Sequence, residues 1–126
     1  YIATAAPHQP HYVPQQYRDA IQARLEKSPD VKLPDDPKVR RELISYLAMI
    51  ENVDMNIGRL ESFLKEQGLF ENTLFMFLTD NGTTFGDVYY PCGMRGRKAS
   101  LWEGGHRVPL FVRWPSSSIK PTDVAT

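Results

Sequence analysis

The chain has a single cysteine, Cys92, so no disulfide can form within it. It has no excess of either charge. Fifteen Lys and Arg balance fifteen Asp and Glu for a formal net charge of zero, which argues against a general nucleic-acid binder. No apolar run approaches the ~20 residues that a membrane-spanning helix needs. No signal-peptide pattern supplies an address, so the sequence leaves localisation unknown. Internal repeats and low-complexity tracts are missing too. The opening Tyr1-Ile2-Ala3-Thr4-Ala5-Ala6 has no methionine and no polar lead-in; it reads as the tail of a strand already under way, as in a piece of a longer protein. What is present is ordinary for one globular domain: 126 residues, 41% hydrophobic and 24% charged.

The pattern along the chain predicts strands at about residues 1–6, 73–79 and 108–114. Pro7, Pro10 and Pro14 exclude helix and central strand from the segment that follows the first of these, leaving an ordered loop. A short helix is expected from Arg18 to Glu26. The clearest element runs from about Pro37 to Gln67, where Leu43, Leu47, Ile50, Val53, Ile57, Leu60 and Leu64 recur in steps of three and four. Asp36-Pro37 supplies an N-cap and a first-turn proline, and Gly68 stands where a left-handed C-cap belongs. Thr73 to Thr79 lacks polar alternation, which predicts a strand covered on both faces. Strands alternating with a long helix point to an α/β sheet with parallel pairing, the helix lying on it.

Phe75-Met76-Phe77-Leu78-Thr79 ends abruptly on Asp80-Asn81-Gly82. Asn-Gly is a strong turn signal, so one reading is a turn that ends the strand. The other is that Asp80 and Asn81 present hard oxygen ligands to a metal ion at the carboxyl end of a strand, the edge where α/β sheets bind ligands. A connection of roughly 28 residues follows, far longer than usual. It contains Arg95, Arg97, Lys98, His106 and Arg107 among Gly93, Gly96, Gly104 and Gly105. Glycine with clustered cations can build an anion site, with the backbone approaching a ligand closely; a solvated basic loop is the commoner meaning of such a cluster. A metal ligand beside an anion site suits phosphate or sulfate chemistry. Tyr89-Tyr90-Pro91 reads equally as a sugar or aryl pocket and as a loop anchor. Trp102 and Trp114 read as packing residues, and Cys92 as an unpaired thiol.

Asp80-Asn81-Gly82, then Gly96-Arg97-Lys98, then Glu103-Gly104-Gly105-His106-Arg107-Val108-Pro109, together with Ala6-Pro7-His8-Gln9-Pro10, resemble the type I sulfatases of the alkaline phosphatase superfamily. The resemblance covers nearly all of residues 1–126. It implies a partial alkaline-phosphatase-like α/β sheet with flanking helices, and the carboxyl-side portion of a catalytic domain that hydrolyses sulfuric esters. Asp80 and Asn81 would match two calcium ligands, and Lys98 the lysine on the sulfate and its bridging oxygen. His8 would match the histidine that contacts the ester or assists the leaving group, with His11 a weaker candidate. Glu103, Gly104, Gly105 and Arg107 would shape the turn into the last strand. A sulfated glycan or aryl sulfate would be the substrate, and a periplasmic, secreted or lysosomal setting is implied.

The family's nucleophile, a formylglycine made within a Cys/Ser-x-Pro-x-Arg motif, has no counterpart here. Cys92 is followed by Gly93-Met94-Arg95, and Ser28-Pro29 puts the proline one place early. Asp35-Asp36 precedes a helix, so it reads as capping instead of the family's paired metal carboxylates. The nucleophile is expected in a preceding part of the catalytic domain, which would be this chain's partner. The alternatives are a non-catalytic anion-binding or assembly fragment, and a phosphodiesterase or phosphonate hydrolase of the same superfamily.

Overall fold

The computed structural model describes residues 1–28, 33–88 and 92–118. They fall into two compact units, Tyr1–Phe63 and Leu64–Thr126.

In the first unit an irregular segment leads into helix α1 (Gln15–Glu26), and helix α2 begins at Pro37 and runs to Glu66. Residues 1–6 form no strand, contrary to the expectation from their composition. A strand needs a neighbour to accept its backbone hydrogen bonds, and no described segment pairs with this one. Helix α1 starts three residues earlier than expected, directly after Pro14, and is braced by a hydrogen bond from Gln15 Nε2 to Asp19 Oδ1 of 2.6 Å. Asp36 caps α2: its Oδ1 accepts from the amides of Lys38 at 2.7 Å and Val39 at 3.2 Å. The capping reading of Asp36 therefore holds.

The core of this unit is Ile21 of α1 against Ile44 and Ala48 of α2, with Val13, Tyr17, Leu25 and Leu47 packed around them. The expected stripe is present at Leu43 and Leu47, but α1 also covers the adjacent Ile44 and Ala48. Arg24 and Glu51 clasp the two helices from outside, Nη1 to Oε2 at 3.1 Å and Nη2 to Oε1 at 2.9 Å. That hydrogen-bonded pair holds the Glu51 carboxyl below the usual carboxylate range and raises the Arg24 guanidinium further.

The second unit opens on the end of α2. Gly68 takes a φ of 67°, its amide bonds to Lys65 O at 3.0 Å, and the Leu69 amide bonds to Leu64 O at 2.9 Å. This closes the helix with the two crossed bonds of a left-handed glycine cap. Strand β1 (Phe75–Leu78) then pairs with β2 (Leu110–Arg113), from Phe75 opposite Arg113 to Leu78 opposite Leu110. The pairing is antiparallel, which corrects the parallel expectation. Parallel neighbours need a crossover that returns the chain to the starting end of the sheet. Here the chain from Thr79 to Pro109 folds back at the end where β1 stops, so β2 starts beside Leu78 and runs the other way. The long connection is therefore the loop of an open hairpin, and its entrance and exit lie side by side.

Candidate active site

Asp80 stands two residues past the end of β1, where the sequence places it, and is exposed; Asn81 is half-buried. Three backbone layers build the surroundings. The first is the Asp80-Asn81-Gly82-Thr83 turn. The second is the basic turn from Arg95 to Ser100. The third is the helical turn α3 (Glu103–His106) that leads into β2. The Gly82 amide bonds to Gly105 O at 2.9 Å, the Lys98 amide to Thr83 O at 3.0 Å, and the Gly104 amide to Arg95 O at 2.9 Å. Each layer is thus tied to the other two by main-chain bonds.

Glycine makes this stacking possible. A Cβ on Gly82 would collide with the Gly104 carbonyl, one on Gly104 with the Gly96 carbonyl, and one on Gly105 with the Ser100 carbonyl. The sequence suggested that Gly104 and Gly105 let the backbone approach a ligand; the approach observed for both is to neighbouring backbone. Gly96 and Ala99 take φ of 80° and 68°, so Lys98 sits in a tight turn whose bend includes a non-glycine left-handed residue. Such a residue costs about 1–2 kcal/mol and persists only where its surroundings enforce it.

The cations of the loop divide cleanly. Arg95 stacks on the Trp102 ring at 3.6 Å, Arg97 Nη1 faces Asp87 Oδ2 at 3.8 Å, and Arg107 Nη1 faces Glu103 Oε2 at 3.6 Å. Among the described residues no ion pair or hydrogen bond engages the half-buried Lys98 ammonium or the side chains of Asp80 and Asn81. The three arginines thus meet other side chains, while among the described residues Lys98, His106, Asp80 and Asn81 show no such contact. Glu103, Gly104, Gly105 and Arg107 shape the return to β2, as their pattern suggested. Trp102 was read as packing; it is half-exposed and serves as the platform for Arg95. Cys92 is exposed. Tyr89-Tyr90-Pro91 lies outside the described residues.

The all-oxygen donors of Asp80 and Asn81 suit a hard cation such as calcium. They provide two of the ~6–8 ligands calcium takes, and the described residues hold no group of three or more Asp, Glu, His or Cys able to bind a metal. They fit as part of a calcium site.

His8 belongs to the first unit, and is exposed. Its Nδ1 lies 2.6 Å from the Gln9 carbonyl oxygen. A carbonyl only accepts, so in the neutral ring Nδ1 carries the hydrogen and Nε2 presents its lone pair outward. His11, the weaker candidate, is turned inward: its Nδ1 lies 2.7 Å from Glu42 Oε1. The sequence carried no signal for this pairing, because Glu42 is distant along the chain and nothing local marks His11 as buried.

No described helix is long and apolar enough to cross a membrane. The Sulfatase family model matches residues 1–124. An ulvan-active sulfatase of Formosa agariphila is 32% identical over 118 residues, covering 90% of this chain and 22% of the relative. An arylsulfatase of Clostridium perfringens is 34% identical over 82 residues, covering 65% of this chain and 16% of the relative. The crystal structure of Ps i-CgsB in complex with k-i-k-neocarrahexaose superposes with a TM-score of 0.67 at 30% identity, over 87% of this chain and 21% of that one. The chain thus spans about a fifth of the length of the proteins it matches. With nearly every residue inside the family match, and with the Asp-Asn-Gly, Gly-x-Lys and Glu-Gly-Gly turns bound into one backbone assembly, the chain belongs to the sulfatase family.

Proposed function

We propose that residues 1–126 are the carboxyl-side portion of a sulfatase catalytic domain, which in the complete enzyme hydrolyses sulfate monoesters. The observation that supports this is the stacked-turn assembly, in which main-chain bonds tie the turn of Asp80 and Asn81 to the turn of Lys98 while the neighbouring arginines make contacts with other side chains. A sulfate monoester is an anion that repels a nucleophile. The Lys98 ammonium stabilises charge on the bridging oxygen as the bond to the leaving alcohol breaks. His8 exchanges the accompanying proton through Nε2, its Nδ1–H being held by Gln9. Asp80 and Asn81 would hold calcium, which when bound supplies neutralising charge for the sulfate oxygens.

The nucleophile is assigned to the remaining part of the catalytic domain, since no Cys/Ser-x-Pro-x-Arg motif occurs here. That same observation favours a second reading for the chain by itself, as an anion-binding fragment that does not turn over sulfate esters. Sulfated glycan is the favoured substrate class, because one relative is named for ulvan and the structural neighbour holds a neocarrahexaose. The arylsulfatase relative keeps aryl sulfate as the other class. A periplasmic, secreted or lysosomal enzyme is the corresponding setting.

The test uses the complete enzyme on an aryl sulfate, with a phosphodiester as the control substrate. Lys98→Ala should lower kcat by about 10²–10³-fold, the usual loss for one transition-state donor, and leave calcium affinity nearly unchanged. Asp80→Ala should damage both. Turnover of the sulfate ester by Lys98→Ala at the wild-type rate would refute the assignment, and preference for the phosphodiester would move the enzyme to another branch of the superfamily.

A further inference from the structure

His11 is the buried titratable side chain among the described residues of the first unit. Its imidazole is 3% exposed, with Nδ1 2.7 Å from Glu42 Oε1. The ring also leans on Tyr46, centroid to centroid 5.4 Å at a tilt of 58°. Glu42 and Tyr46 are one turn apart on α2, so the ring is held at two points on one face of a helix. A buried imidazole costs free energy unless its polar atoms are satisfied. An apolar side chain could fill the same space without that cost, so the pair secures position more than it secures stability.

What it positions is three residues upstream. Between His8 and His11 stand only Gln9 and Pro10. Pro10 has a restricted φ, the Tyr12 amide bonds to Pro10 O at 2.9 Å, and the His8 amide bonds back to Ala5 O at 2.8 Å. The segment has little slack, and its nearest anchor to a helix is His11. We propose that His11 is a positioning residue: through its close contact with Glu42 it fixes the loop from which His8 addresses the sulfate ester. This rests on the role given to His8 above.

Two measurements test it. In the complete enzyme, His11→Ala should lower kcat roughly ten- to a hundredfold, the scale of an ångström misplacement of a catalytic group, with KM little changed. In an His8→Ala background the same substitution should cost nothing further, because the group it positions is gone. His11→Asn, which keeps an N–H near the place of Nδ1, should recover part of the loss. Equal losses in both backgrounds, without recovery by asparagine, would mean a structural role only and overturn the proposal. The second measurement needs no turnover. In the complete enzyme, the ring 1H–15N signals of His8 and His11 should both shift in Glu42→Ala. If that variant does not fold, Glu42→Gln, which removes only the charge, is read the same way. Movement of His11 alone would show that the anchor does not reach His8. Full turnover by His8→Ala would instead overturn the role of His8 itself; the two failures are therefore distinct.

Discussion

At the scale of single residues, the most legible features were those with purely local causes. Asp36 caps α2 because its side chain reaches amides two and three residues on, and Gly68 ends the helix because a left-handed residue is needed there. Both effects involve neighbours in sequence, so the sequence declares them. Asp36→Ala should lower stability by about 1 kcal/mol, seen as an earlier urea midpoint with an unchanged slope; an unchanged midpoint would contradict the cap. His8 and His11 show the opposite case. They share one Pro-rich loop, and no local pattern tells which ring faces solvent. That is decided by Glu42 and Tyr46 on α2. Lys98 is intermediate: its glycine-rich turn was legible, whereas the engagement of Arg95, Arg97 and Arg107 elsewhere was not.

At the scale of elements, α2 followed from periodicity and caps and α1 was expected with its start three residues late, while strand direction did not follow. An apolar run such as Phe75–Leu78 fixes neither partner nor sense of pairing. The antiparallel hairpin comes from how the long connection folds, and that connection is organised by main-chain bonds which no side-chain pattern encodes. Its glycines were visible, but close approach to a ligand and close approach to another backbone both require a missing Cβ. Gly105→Ala tests the second use. The new methyl meets the Ser100 carbonyl, so the variant should lose about 1–3 kcal/mol, as overpacked sites do. In the complete enzyme it should also lose turnover through displacement of the Asp80 turn. An unchanged thermal midpoint would show that α3 can shift away freely and that the three layers are not rigidly stacked.

At the scale of the whole molecule, the sheet carries the clearest message. Met76, Leu78, Leu110 and Phe111 are each 57% or more exposed, although the composition of the first strand predicts burial on both its faces. Among the described residues the sheet has two strands, so each has an unpaired edge. Apolar faces and open edges promote association. In isolation the chain should self-associate as its concentration rises, measured by light scattering, and Phe111→Lys should reduce this. A concentration-independent monomer with cooperative unfolding would contradict it.

Asp80, Asn81, Lys98 and His8 are proposed above to serve one sulfate ester. The most direct test is a crystal structure of the complete enzyme with calcium and sulfate. Asp80 and Asn81 oxygens should lie about 2.3–2.6 Å from the calcium ion, and Lys98 Nζ and His8 Nε2 within about 3 Å of sulfate oxygens. If those four side chains point to different faces of the sheet, they share no sulfate site, and Asp80-Asn81-Gly82 is only a turn.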